Sequence, residues 1–198
     1  MITRNHYLIM AWSDLIHAAI SGEFDKKIFE DNTLELNRLT DQNASLLHFS
    51  IVGGNLDTIR YLLDNNLNVN AKNLYGETPL HWCCKEGNVE IARLLLSYGA
   101  RATARDFDGN SPLHWAAEYN QHEIVSELLS RGVPCDKTNK SNETPMQVAI
   151  VNTSGETVSL LNQKLTNNTE RQSKLLSLSK PNTNLPLPTN KRSLKKSR

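Results

Sequence analysis

The stretch Gly76–Ala100, "GETPLHWCCKEGNVEIARLLLSYGA", decides the fold. Thr78 can cap a helix whose first residue is Pro79, where proline's missing N–H is harmless. That helix runs through Leu80, His81, Trp82, Cys83 and Cys84 and stops at Gly87, a residue that readily adopts the left-handed conformation. Asn88 can open a second helix, in which Ile91, Leu94, Leu95 and Leu96 mark one buried stripe. Gly99 ends it, and the polar "ARATARDFDG" that follows has the character of a connecting finger.

The same order returns at a fixed distance. "GETPLH" at Gly76–His81 becomes "GNSPLH" at Gly109–His114, with echoes "SLLH" (Ser45–His48) upstream and "TPMQ" (Thr144–Gln147) downstream, all in a 33-residue register. A constant period of this length means one supersecondary unit stacked on copies of itself, each burying its apolar face on its neighbours. Such stacks present surfaces and rarely perform chemistry. Two copies put asparagine (Asn43, Asn142) where the others have the turn glycine, and asparagine tolerates the left-handed conformation those turns need.

On these residues the chain resembles the ankyrin-repeat family, whose pattern runs "G-x-TPLH-x-AA-x-x-G…LL-x-x-GA". The resemblance implies an α-helical solenoid of stacked helix-turn-helix units with β-hairpin or finger connections. Its expected organisation is an N-terminal capping repeat in 1–39, repeats in 40–72, 73–105 and 106–138, and a degenerate capping repeat in 139–165. The cap is carried by Asp14–Glu30, with Ala18, Ala19 and Gly22 at matching places, and terminal units need atypical outer faces because they lack one neighbour. The resemblance also implies that His48, His81 and His114 bond backbone between adjacent fingers.

Composition narrows the rest. At 198 residues and 38% hydrophobic content, the chain can fold as one modest domain plus a tail. No apolar run approaches the roughly 18 residues that span a bilayer. Three cysteines, two of them adjacent (Cys83, Cys84, Cys135), suit neither a disulfide framework nor a zinc knuckle, so a reducing compartment is expected, cytoplasmic or nuclear. The net charge of +1 conceals a strong polarity: from Lys164 onward nine Lys/Arg face one acid, for +8, which leaves −7 on residues 1–163. Residues 166–198, with Pro181, Pro186 and Pro188 and no aromatics, read as a disordered basic tail, in which the pattern allows a short helix around Glu170–Leu178.

No Ser–His–Asp ordering, phosphate loop or HExxH is present, so no catalytic residue, cofactor site or metal site is expected. The cysteines at 83 and 84 stand where paired small residues let helices touch, and free cysteine behaves there as a small hydrophobe. Trp82 and Trp115, directly after the histidines, are expected to fill the seam between units. Partner contacts are expected where the family leaves the sequence free, at the fingertips and the exposed face of each first helix. Those positions are Leu74, Tyr75, Glu77, Lys85 and Glu86 in one unit, and Phe107, Asp108, Asn110, Glu118 and Tyr119 in the next. Apolar fingertips either anchor a partner or fold back on the neighbouring finger. The acids among and around them, Asp106 included, would steer a basic partner.

The tail's "NKRSLKKSR" carries Lys191, Arg192, Lys195, Lys196 and Arg198, which could serve as a nuclear import signal or touch a polyanion. The functional expectation is a monomeric, non-enzymatic protein–protein interaction module that acts as adaptor, inhibitor or chaperone. The alternatives are a nuclear regulator whose tail contacts nucleic acid and a host-directed effector of an intracellular microbe.

Overall fold

The structure, a computed structural model, describes residues 2–22, 36–152 and 155–178, with side chains placed in 12–22, 36–152 and 155–173. Two compact units divide the chain, Met1–Leu165 and Thr166–Arg198. The described residues form nine helices: α1 Ile2–Ser21, α2 Leu46–Gly53, α3 Leu56–Asp64, α4 Pro79–Glu86, α5 Val89–Ser97, α6 Pro112–Glu118, α7 His122–Ser130, α8 Pro145–Val151 and α9 Gly155–Leu178.

The first unit is a helical solenoid built in two rows. The first helices pack in sequence, α1 on α2, α2 on α4, α4 on α6 and α6 on α8, while α3, α5 and α7 form the second row. One apolar core runs from Trp12 to Leu161 and includes Cys83 and Cys84, both fully buried. Burial pushes the thiol of each above its usual range, so both act as packing groups rather than nucleophiles.

The stops and starts follow the sequence chemistry. Ser45, Thr78, Ser111 and Thr144 each form a capping box at the head of a first helix. Asn55 and Asn88 cap the second helices by accepting from Thr58 N–H and Ile91 N–H, each at 3.0 Å. Asn43 and Asn142 take φ of 57° and 59°, as expected where asparagine replaces the turn glycine. Asn66 and Asn120 do the same at helix ends, in register with Gly99 and Gly87.

Three features sharpen the sequence-based expectation. The connections are fingers without strands among the described residues; the nearest approach is an isolated bridge between Leu39 and Ser45. Each finger closes on two backbone bonds, such as Asn73 N–H to the Glu77 carbonyl at 3.1 Å and Gly76 N–H to the Asn73 carbonyl at 3.0 Å, too little for a ladder. The N-terminal cap begins in a longer helix than its motif suggested, α1 spanning 20 residues, while the rest of the cap at 23–35 lies outside the described residues. Thirdly, residues 166–178 of the second unit are helical, which covers and extends the short helix that the pattern allowed around Glu170–Leu178 in a tail otherwise expected to be disordered. The stretch "TNNTERQSKLLSL" has no proline or glycine, and Glu170 and Lys174 stand four apart, which favours continued helix.

Candidate functional site

A rigid frame sets the fingers. In His48, His81 and His114, Nδ1 accepts the backbone N–H of the preceding cap residue at 3.1, 3.1 and 3.2 Å. A ring nitrogen that accepts carries no proton, so Nε2 holds the hydrogen and donates it forward. The acceptors are the carbonyls of Glu77, Asn110 and Glu143, at 3.3, 3.1 and 3.1 Å, each 29 residues on in the next finger. Burial lowers all three histidine pKa values, that of His48 to about 4, so the rings stay neutral.

Backbone bonds then link the tips: Leu74 N–H to the Gln42 carbonyl (2.9 Å), Phe107 N–H to Tyr75 (2.8 Å) and Lys140 N–H to Asp108 (2.9 Å). The histidines thus bond between fingers as the resemblance implied, and the fingers present their tips as one row.

On that row Leu74, Tyr75 and Phe107 are 51%, 58% and 58% exposed, and Tyr119 on the end of α6 is 40% exposed. The Phe107 ring also rests on the preceding finger, since a Cβ at Gly76 would meet it at 2.7 Å. Both expected fates are therefore combined in one residue: Phe107 is braced from behind and open in front. Lys85 Nζ stands 5.8 Å from the centre of the Tyr119 ring. Glu86, Asp108 and Glu118 are exposed, and neither Asp108 nor Glu118 forms an ion pair or side-chain hydrogen bond among the described residues. Partial burial, together with the charges of Asp106 and Glu143, raises the Glu118 pKa.

Other expected contact residues are occupied internally. Glu77 is half-buried; its Oε2 accepts from Trp82 Nε1 at 2.8 Å and from Asn73 Nδ2 at 2.6 Å. Asp106, expected to be a steering acid, is buried; its Oδ1 accepts the N–H groups of Asp108 and Asn110 and its Oδ2 accepts Trp115 Nε1. Asn110 is half-buried, giving its carbonyl to His81 and its Oδ1 to Asn139 Nδ2 at 2.9 Å. The tryptophans fill the seam as expected, Trp82 edge-on to His48 with centroids 5.2 Å apart and Trp115 edge-on to His81 at 5.6 Å. Each indole N–H consumes an acid that the sequence alone leaves looking free.

The structure also adds residues that the sequence reading passed over. Lys140 and Ser141 tip the fourth finger, and Val148 and Val151 continue the helix face. With Asp108, Glu118 and Glu143 they line a cleft of about 340 Å³. The signal for them was the register itself: Lys140 lies 33 residues beyond Phe107, and Val151 lies 33 beyond Glu118.

The second-row helices differ in kind. There Arg93 and Arg131 both engage Glu127, at 2.9 and 2.7 Å, so these three charges are paired within the protein. Among the described residues no group of three His, Cys, Asp or Glu gathers as a metal would require, and no helix is long and apolar enough to cross a membrane. The tail residues Lys191, Arg192, Lys195, Lys196 and Arg198 lie outside the described residues.

Comparison with known families agrees with the architecture. The family model described as ankyrin repeats (3 copies) matches residues 15–106 and 100–172, well over half of the chain. No curated protein matches it.

Proposed function

From the premise that the chain belongs to the ankyrin-repeat family, whose members are generally protein–protein interaction modules, we propose that it binds a protein partner in the groove between its fingertips and first helices. It acts by occupying a partner's surface, as an adaptor, inhibitor or chaperone, without catalysis of its own. One observation carries this reading: Leu74, Tyr75, Phe107 and Tyr119 stand exposed together on the finger side of central units whose interiors are otherwise sealed. Aromatic side chains bring large contact area at low entropic cost and dominate interface hot spots. The finger bonds hold the backbone of Leu74, Tyr75 and Phe107, and the Phe107 ring rests on Gly76, so the tips have little freedom to lose on binding. Glu86, Asp108 and Glu118 around them favour a partner with a basic surface.

The test compares the intact chain with a Tyr75→Ala/Phe107→Ala/Tyr119→Ala variant, matched for folding by circular dichroism, in affinity capture of partners. Loss of a specific protein by the variant is the expected result. Identical capture by both chains would remove the groove as the binding site.

A further inference from the structure

We propose that the tip of the third finger is a site of spontaneous covalent modification, at which Asp108 closes onto the amide nitrogen of Gly109 and reopens as isoaspartate. The pair is the one Asp–Gly step in the chain, which holds no Asn–Gly. Closing a five-membered imide from aspartate needs an unhindered nitrogen on the next residue, a carboxyl free to swing onto it, and a peptide able to turn. Gly109 leaves its nitrogen open, and glycine is required there: φ is +79° and a Cβ would meet the Lys140 nitrogen at 3.0 Å. The Asp108 side chain is exposed, and its carboxylate has no partner among the described residues. Asp106, two residues earlier, is the contrast within the same finger. It is buried, its Oδ1 accepts the N–H groups of Asp108 and Asn110, its Oδ2 accepts Trp115 Nε1, and bulky Phe107 follows it. Two backbone bonds restrain the 108–109 peptide. Gly109 N–H reaches the Asp106 carbonyl at 3.2 Å, the long limit of such bonds, and the Asp108 carbonyl accepts Lys140 N–H at 2.9 Å. Lys140 belongs to the last finger among the described residues, and an end unit opens more easily than an interior one. Phe107 is tied from the other side, through Tyr75, so it keeps its place while the peptide after it turns.

In the closing step the Gly109 nitrogen gives up its proton and bonds to Cγ of Asp108, and a carboxyl oxygen leaves as water. Water then adds to one of the two imide carbonyls. Addition at Cγ, with cleavage of the new bond, restores aspartate. Addition at the original main-chain carbonyl carbon breaks its bond to the Gly109 nitrogen and leaves isoaspartate, its backbone running through Cβ and Cγ. Water is the sole co-reactant, and mass and charge end unchanged. The main chain gains one carbon, and the carbonyl that accepted Lys140 N–H becomes a free carboxylate. The fourth finger thereby loses its backbone link to the third.

The test holds the intact chain at neutral pH and body temperature for weeks, with circular dichroism confirming that it stays folded. Isoaspartate is located by electron-transfer fragmentation in a mass spectrometer. It is counted independently by methyl transfer from labelled S-adenosylmethionine, using a purified isoaspartyl methyltransferase. A synthetic peptide of residues 104–113 gives the rate without the fold. Isoaspartate should appear at 108 and not at 106, at a rate within about tenfold of the peptide's, as suits a tip that opens locally. Asp108→Asn should react several-fold faster, because ammonia departs more readily than water. Asp108→Glu should not react, because its ring would need a sixth member. Isoaspartate at 108 in the peptide but absent from the folded chain would overturn the proposal, since the turn would then protect the bond. Equal isoaspartate at 106 and 108 in the folded chain would overturn it as well, because the contrast between the two aspartates would be lost.

Discussion

The two central copies, 73–105 and 106–138, and the copy that follows them, 139–165, open with nearly the same residues and are sealed very differently. In the central copies His81 and His114 are buried and bonded forward to the next finger. At the equivalent place Gln147 keeps the backward half of that device, its Oε1 accepting Thr144 N–H at 2.8 Å, but stands exposed. Ile150 is 54% exposed, while its counterparts Cys84 and Ala117 are fully buried. The capping chemistry is local and survives at the end of a stack. Burial is supplied by the neighbour, and disappears with it.

The largest break in this comparison comes from emptying equivalent core positions. Leu113→Ala, at a site with no exposure, should lower stability by about 3–4 kcal/mol, and Met146→Ala, 33 residues on and half-buried, by less than half of that. Urea midpoints of the two variants measure the difference; equal losses would mean that the last copy is as fully packed as the central ones.

Acid should separate the copies next. The His48 ring is neutral in the fold down to about pH 4 but is protonated in the unfolded chain below about 6.5. The unfolded chain then binds the extra proton, so stability is complete above pH 6.5 and falls as the pH drops towards 4, by ~3 kcal/mol for this one group. His81 and His114 shift in the same direction. Gln147 does not titrate. Amide protection factors, corrected for the intrinsic slowing of exchange in acid, should therefore fall more from pH 6.5 to 4 in α2, α4 and α6 than in α8, and a uniform fall would refute a histidine origin.

The smallest effect concerns the copy before the central pair. Thr58 occupies the place of Ile91 and Ile124, and its Oγ1 is buried without a hydrogen-bond partner among the described residues. Thr58→Val keeps the shape and removes the orphaned hydroxyl, so it should raise stability by about 1 kcal/mol, read as a higher thermal midpoint.

Much of the solenoid was legible because the register repeats: one reading of Gly76–Ala100 places the first helix and its capping box in every copy from 40 to 165, and the second helix in the three copies from 40 to 138. The left-handed asparagines were legible for the same reason. The candidate site was legible only at its tips. That Glu77 and Asp106 are consumed by Trp82 and Trp115 depends on side chains five and nine residues away meeting across a finger. The helix through 166–178 was legible only around Glu170–Leu178, because the polar composition before it reads as unstructured although its local propensity favours helix.

What the amino-acid order determined by itself is periodic and local: capping residues, turn residues, apolar stripes and the 33-residue interval. These act within a few residues or recur at a fixed offset, so a linear reading finds them. What only the tertiary structure decided is which polar groups remain unsatisfied once neighbours have packed. Asp108 and Glu118 stay free while Glu77 and Asp106 do not, and Ile150 is open while Ala117 is sealed. Those outcomes depend on contacts between copies, which a side chain's identity does not specify until the stack places its partner.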